Sequence, residues 1–231
     1  MTGERTDNRP TPEAMTRIVL RPLASSLPLG FFAFGTGSIL LTALELKWVP
    51  VSQGSALMVM VLAFVVPLEV LAGVFAFLAR DSGAASALSM LGAAWATTAL
   101  TIVRGAPGAT SAALGVFLLT LAAMMLILSV GALRSKPLFG VLLLGGAGRF
   151  VLTGLYELAA GGPGLEQASG WIGLPLLAFS LYGGLALLLE DGAQRTVLPL
   201  GRRGRARSSL EGDLERQIER TESEPGIRRQ L

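Results

Sequence analysis

The sequence predicts an all-α integral membrane protein with six transmembrane helices. Two observations support this fold class. Hydrophobic residues make up 52% of the 231 residues and charged residues only 15%, whereas a soluble domain usually carries about 25% charged residues. The apolar residues also lie in long runs with few charges, as a chain that is solvated by lipid requires.

Six such runs follow one another along the chain, at 27–46, 55–79, 84–103, 109–133, 137–160 and 169–190. Each is long enough to cross a bilayer, because about 20 helical residues cover the roughly 30 Å hydrocarbon core. A spanning segment must pair its own backbone groups, and the alternating pattern of a membrane β-barrel is absent from the sequence, so the runs are expected to be helices.

Turn-forming and charged residues separate the first five runs from their successors. Segments rich in Gly, Pro, Arg and Lys stand at 46–50, 80–83, 104–108, 134–137 and 161–164. Because these connections are short, neighbouring helices are expected to be antiparallel and to form one bundle. We therefore divide the chain into a polar N-terminal segment (1–24), a six-helix transmembrane domain (25–201) and a charged tail (202–231).

The basic residues predict the orientation, since Lys and Arg are retained on the cytoplasmic side. Only Lys47 and Arg104 lie on the side opposite the termini. Twelve lie on the side that holds both termini: Arg5, Arg9, Arg17, Arg21, Arg80, Arg134, Lys136, Arg195, Arg202, Arg203, Arg205 and Arg207. Both termini are therefore expected in the cytoplasm, with the protein in a plasma membrane of the bacterial inner-membrane type. The first 24 residues are polar and contain prolines, so no cleaved signal peptide is expected. The high pI of 9.9 then reflects topology, and no nucleic-acid partner is expected.

The chain has no Cys and no His. Their absence excludes disulfides, the usual zinc and haem sites, thiol nucleophiles and triads that contain His. We expect no enzyme activity, no cofactor and no metal site.

The centres of the six helices repeat with an offset of roughly 85 residues. This spacing predicts an inverted repeat of three plus three helices, as in many transporters.

Three stretches of the sequence resemble a known family. Pro28, Leu29 and Gly30 match part of the signature of the acetate uptake transporters, which are succinate–acetate permeases, and residues 71–97 resemble that family's second and third helices. Residues 170–201 are similar to its last helix and C-terminal motif. The resemblance implies a homo-hexamer in which each protomer has its own pore for small carboxylates such as acetate.

The resemblance also implies candidate pore-lining residues. Phe34, Leu91 and Gly146 align with the positions that narrow the family's pore, although the family has Tyr and Leu where this chain has Leu91 and Gly146. Counted along each helix, these residues and Tyr182 lie about 10–14 Å from the terminal side of the membrane. Ordinary core packing is the alternative for all four residues, because an apolar side chain in a bundle also fills space.

Two ionisable residues lie deep within the predicted spans. Glu69 and Arg149 are about 15 and 18 Å from the terminal side, and charges at such depth usually face a partner or a watery cavity. We predict that they form a pair. It is either a structural ion pair or a permeation element, in which Arg149 attracts an anion while Glu69 holds Arg149 in place or takes up a coupled proton. An error in the depth estimate is the third interpretation. Glu45, at the end of its span, is expected to be interfacial, and Tyr156 and Glu157 to line a wet vestibule.

Three functions agree with these observations. The first is a transporter or channel for small monocarboxylates such as acetate, passive or coupled to protons. The second is a channel for a neutral small solute, and the third is a non-transporting membrane assembly protein that keeps the fold. In each case the lipid bilayer is a partner.

Overall fold

The computed structural model describes residues 23–193 and 195–202. Six helices in these residues are long and apolar enough to cross a membrane, which confirms the predicted number of spans. They are α1 (Leu27–Glu45), α2 (Val51–Leu78), α3 (Ser82–Arg104), α4 (Ala112–Ser135), α5 (Pro137–Leu158) and α6 (Pro163–Ala193). The observed ends differ from the predicted ones by a few residues, with the largest difference at α6.

Helix α6 begins six residues before the predicted span that started at residue 169. Its first turns are polar and glycine-rich, so a search for apolar runs misses them. Pro163 opens the helix and Glu166 lies in the first turn, and both features favour a helix start. The extra turns carry Ser169 and Glu166 into the site described below.

Helix α2 departs from regular α-helical geometry at its start and near its middle. It starts with a 3₁₀ turn at Val51–Gln53, and a π-helical turn occupies Val61–Val65, two residues before Pro67. Proline lacks an N–H and its ring collides with the carbonyl four residues earlier. A wider turn accommodates such a residue without ending the helix.

The helices pack mainly as three antiparallel pairs, α1 with α6, α2 with α3 and α4 with α5, and α5 also packs along α6. Glycines allow the closest contacts. A Cβ added at Gly115 of α4 would lie 2.8 Å from the carbonyl oxygen of Gly154 in α5. A Cβ at Gly30, in the predicted signature, would lie 2.5 Å from Leu88 of α3. Small residues thus bring the helices close enough to enclose a site.

We call the two ends of the bundle the loop end and the terminal end. The loop end holds the α1–α2, α3–α4 and α5–α6 connections, where Lys47 and Glu166 form an ion pair. The terminal end holds the other connections and both ends of the described chain, and there Lys136 pairs with Asp81.

Residues 195–202 fold back against the terminal end. Leu200 is buried, and the Arg202 Nη2 atom lies 2.5 Å from the Glu190 Oε1 atom. The predicted N-terminal segment and charged tail lie almost wholly outside the described residues. The cytoplasmic orientation of the termini and the inverted repeat remain predictions.

Candidate functional site

One face of α1 carries a stripe of buried polar side chains. Ser38, Thr42 and Glu45 are spaced by four and three residues, so they lie on the same face of the helix. All three side chains are buried. Because buried polar groups need partners, this stripe requires hydrogen-bonding groups from neighbouring helices.

Arg149 of α5 supplies them for the Thr42 and Glu45 side chains. Its Nη2 atom lies 2.6 Å from Glu45 Oε2 and donates to Thr42 Oγ1 at 3.1 Å. Its Nη1 atom donates to the Ser38 carbonyl oxygen at 3.1 Å. The Arg149 side chain is 95% buried and the Glu45 side chain 93% buried, so the ion pair is screened from solvent.

Helix α6 holds the other oxygen of the same carboxylate. The Ser169 hydroxyl donates to Glu45 Oε1 at 2.8 Å and also lies 2.8 Å from the Thr153 hydroxyl of α5. Glu45 is therefore fixed from two sides, and α1, α5 and α6 are joined by one hydrogen-bonded cluster. We call Arg149, Glu45, Thr42, Ser169 and Thr153 the polar cluster.

Gly173 makes room for this cluster. A Cβ at that position would overlap the Thr42 hydroxyl and would lie 2.6 Å from Arg149 Nη1. Any larger residue at the position of Gly173 would therefore displace the guanidinium group of Arg149. The close approach of α6 is part of what positions Arg149.

A cavity of about 200 Å³ opens at the loop end and reaches the polar cluster. Among its lining residues are Glu45, Thr153, Tyr156, Glu157 and Ser169. Tyr156 and Glu157 thus lie where the sequence predicted a vestibule. The Glu157 carboxylate accepts the Ser111 backbone N–H at 2.5 Å, which ties α5 to the start of α4.

A second, smaller cavity of about 20 Å³ lies next to it, deeper in the bundle. Three residues, Leu41, Thr98 and Thr153, line both cavities, so the two are neighbours. Glu45 lines the larger and Arg149 the smaller. The ion pair therefore joins the walls of the two cavities. The full lining of the smaller one is Phe34, Ser38, Leu41, Ala94, Trp95, Thr98, Leu118, Gly146, Arg149, Phe150 and Thr153.

The structure brings two of the four predicted pore residues together. Phe34 and Gly146 both line the smaller cavity, and a Cβ at Gly146 would lie 3.7 Å from Phe34 Cζ. Leu91 is buried in the apolar core, and the Tyr182 hydroxyl donates to the Pro199 carbonyl oxygen at 2.9 Å. Leu91 and Tyr182 line neither of these two cavities.

The prediction that Glu69 pairs with Arg149 is wrong. Arg149 pairs with Glu45, while both carboxylate oxygens of Glu69 are buried without a hydrogen-bond partner among the described residues. Equal depth did not fix which way each side chain points. Glu69 lies against α3, since a Cβ at Gly92 would be 3.2 Å from Glu69 Cβ, whereas Arg149 faces α1 and α6.

Sequence reasoning gave Glu45 only an interfacial position at the end of its span and missed its contacts with Arg149 and Ser169. The spacing of Ser38, Thr42 and Glu45 was the available signal, since it marks a polar stripe in an apolar helix.

Within residues 23–193 and 195–202, no three His, Cys, Asp or Glu side chains are grouped as a metal site would require.

Comparison with known proteins decides the family. Residues 7–200 match the model of the GPR1/FUN34/yaaH family. The chain belongs to this family, which is the acetate uptake transporter family that the sequence resembled. The match confirms the resemblance and covers all six helices.

A solved structure shares the fold. The structure of the bacterial acetate channel SatP is 23% identical in sequence and superposes with a TM-score of 0.69 over 78% of this chain and 99% of that chain. No curated protein is similar enough in sequence to match the chain. At this identity the likeness to SatP shows the fold.

Proposed function

We propose that the protein is a channel or transporter for small monocarboxylates such as acetate. The observation that carries the proposal is the pair of neighbouring cavities, which run from the loop end to Phe34 and Gly146 and meet at the Arg149–Glu45 pair. The fold that it shares with an acetate channel and its membership of an acetate uptake family support the same cargo.

The chemistry of the two cavities suits a small carboxylate. The larger one has charged and hydroxyl groups at its wall, which favour entry of a hydrated solute. The smaller combines Arg149 with Phe34, Leu118 and Phe150, so the carboxylate of a permeant meets hydrogen-bond donors in an otherwise apolar wall. Its volume of about 20 Å³ favours the smallest acids.

Uptake of labelled acetate by vesicles that contain the purified protein tests the proposal. We expect saturable uptake, and a series of longer acids should enter more slowly as the chain grows. Imposing a pH gradient separates passive passage from proton coupling. Glu69, which the sequence offered as a proton acceptor, lines neither cavity, whereas Glu45 lines the larger one. Absence of acetate uptake above that of empty vesicles would refute the proposal.

The route itself is tested by Gly146→Leu. The larger side chain would fill the space beside Phe34, so we expect uptake to fall at least tenfold with little loss of folded protein. Gly148→Leu is the matched control, because a Cβ at Gly148 meets nothing within 4 Å. Equal uptake by the two variants would mean that the permeant does not pass Gly146.

A channel for a neutral solute is the second candidate. The observation in its favour is that Glu45 neutralises Arg149 at 2.6 Å, which weakens selection for an anion. Swelling of vesicles in acetamide or glycerol, without acetate uptake, would support this function. No flux of either kind would leave the third function, that of a non-transporting assembly protein.

The orientation and assembly belong to the same proposal. We place both termini in the cytoplasm and the protein in the bacterial inner membrane as a homo-hexamer. The charges support the orientation, since Arg80, Arg134 and Lys136 lie at the terminal end, and Lys47 and Arg104 at the loop end. Reporters fused after Leu231 or near Pro107 measure the orientation, and the mass of the purified complex measures the assembly.

A further inference from the structure

The smaller cavity is surrounded by buried polar atoms without partners. Five of the described residues carry such side-chain atoms, and three of them line this one cavity: Arg149 with Nε, Trp95 with Nε1 and Ser38 with Oγ. They are 4%, 6% and 0% exposed. They come from three different helices, α5, α3 and α1, so their convergence is a property of the fold.

Buried polar groups in proteins are nearly always hydrogen-bonded, and an exception calls for a specific explanation. A single unpaired atom is a weak signal. Three around one cavity, next to a larger cavity that opens at the loop end, indicate that the cavity receives a hydrogen-bond acceptor, either water or a ligand.

Neighbouring contacts hold two of these groups in place. The Nη atoms of Arg149 donate to Glu45, Thr42 and the Ser38 carbonyl group, which leaves Nε as the nitrogen of that guanidinium group without a partner. The indole of Trp95 packs edge to face with Phe34, with ring centroids 6.2 Å apart. A Cβ at Gly37 would lie 2.7 Å from the indole ring, so α1 also confines it.

The unpaired atoms define the chemistry of the ligand. Arg Nε–H and the indole N–H only donate hydrogen bonds, and a serine hydroxyl donates or accepts. A partner for all three must therefore supply acceptor oxygens. Two oxygens on one carbon, as in a carboxylate, can accept from several donors at once.

We propose that Arg149 Nε, Trp95 Nε1 and Ser38 Oγ form a binding subsite for the carboxylate group of a small monocarboxylate. The inference rests on the proposed function and names the residues that hold the permeant. The cavity of about 20 Å³ admits little more than a head group, so the carbon chain extends into the neighbouring larger cavity. Glu45 keeps Arg149 oriented with its Nε–H available.

Two conservative substitutions remove single hydrogen-bonding groups from the subsite. Trp95→Phe removes the indole N–H, and Ser38→Ala removes the hydroxyl. In reconstituted vesicles with sodium acetate we expect the half-saturating concentration to rise about tenfold for Trp95→Phe and about threefold for Ser38→Ala, as the loss of hydrogen bonds to a charged acceptor implies. The maximal rate should stay within about twofold.

The chain offers a matched control for each variant. Trp171→Phe removes an indole N–H at a residue that is 63% exposed. Ser180→Ala removes another buried hydroxyl without a partner, but Ser180 lines neither cavity. Both controls should keep the half-saturating concentration of the unmodified protein. If Ser38→Ala and Ser180→Ala behave alike, and Trp95→Phe and Trp171→Phe behave alike, the subsite is refuted.

A second measurement separates failure of the subsite from failure of the proposed function. Acetate should raise the unfolding temperature of the detergent-solubilised protein, because a ligand that binds the folded state stabilises it. The shift should persist in Ser180→Ala, be smaller in Ser38→Ala and be smallest in Trp95→Phe at the same acetate concentration. A shift of this pattern without transport would refute the transport function and support the subsite. Transport with no such pattern in either measurement would refute the subsite alone. An equal shift with acetamide, a neutral analogue, would refute a carboxylate site.

Discussion

Arg149 and Glu69 are two buried ionisable side chains in the same bundle, and their surroundings are opposite. Arg149 contacts three side-chain or backbone oxygens of α1, and its carboxylate partner is held in turn by α6. Both oxygens of Glu69 lack partners among the described residues. The first group lines a cavity and the second does not. The comparison teaches that depth in the membrane alone does not indicate which buried charge has partners and lies beside a cavity.

The largest expected effect comes from breaking the Arg149 site. Glu45→Leu leaves the guanidinium buried without a carboxylate, and loss of one partner of a buried pair typically costs about 3–5 kcal/mol. We expect a fall of that size in the free energy of unfolding, measured in detergent with a chemical denaturant. Glu45→Gln keeps one oxygen that can accept from Arg149, and its amide NH2 can donate to the Ser169 hydroxyl, so it should lose clearly less.

A double substitution then sharpens the result. Glu45→Leu combined with Arg149→Leu removes both charges, and apolar replacements of a buried ion pair are often neutral or stabilising. The double variant should therefore regain most of the lost free energy of unfolding. If it is as unstable as Glu45→Leu, the cost comes from lost packing, and the ion pair is not what stabilises α1 against α5.

Glu69 should respond in the opposite direction. Because its carboxyl group is buried without a partner, Glu69→Leu removes an unsatisfied polar group and should raise the free energy of unfolding by about 1–2 kcal/mol. Glu69→Gln leaves an unpaired amide of similar size and should change little. The same unfolding measurement checks both variants. A loss of stability in Glu69→Leu would mean that Glu69 has a partner in the folded protein, and the contrast with Arg149 would fail.

The comparison also shows which features of this chain could be predicted from its sequence. The length and apolar character of the runs were sufficient to predict the six helices. Each span pairs its own backbone groups, so its formation as a helix does not depend on which neighbour it packs against. The rotation of each helix was harder to predict, because it depends on close contacts such as that of Gly173 with Thr42. A depth estimate alone therefore placed Arg149 opposite Glu69, when its partner lay on α1.

The candidate pore residues illustrate the same limit. Phe34 and Gly146 were predicted at one level and do line one cavity, since helices α1 and α5 face each other there. Tyr182 was placed at that level by the same arithmetic, yet its hydroxyl donates to Pro199 in residues 195–202. The fold-back of that segment is a tertiary contact that helix periodicity does not encode.

The smallest expected effect comes from Ser169, the residue that α6 contributes to the polar cluster. Ser169→Ala removes the hydrogen bond to Glu45 Oε1 and the contact with Thr153, both at 2.8 Å. Glu45 keeps Arg149, so the loss should be about 1 kcal/mol in the free energy of unfolding, the usual net value of one buried hydrogen bond. Ser129→Ala is the matched control, because the Ser129 hydroxyl is also buried but donates only to Leu126 in its own helix, and it should lose less. Since Ser169 acts through the Glu45 carboxylate, its substitution should cost almost nothing once Glu45 is Leu. An undiminished cost in that background would place the contribution of Ser169 in its contact with Thr153, and the carboxylate would then be held by Arg149 and α1 alone.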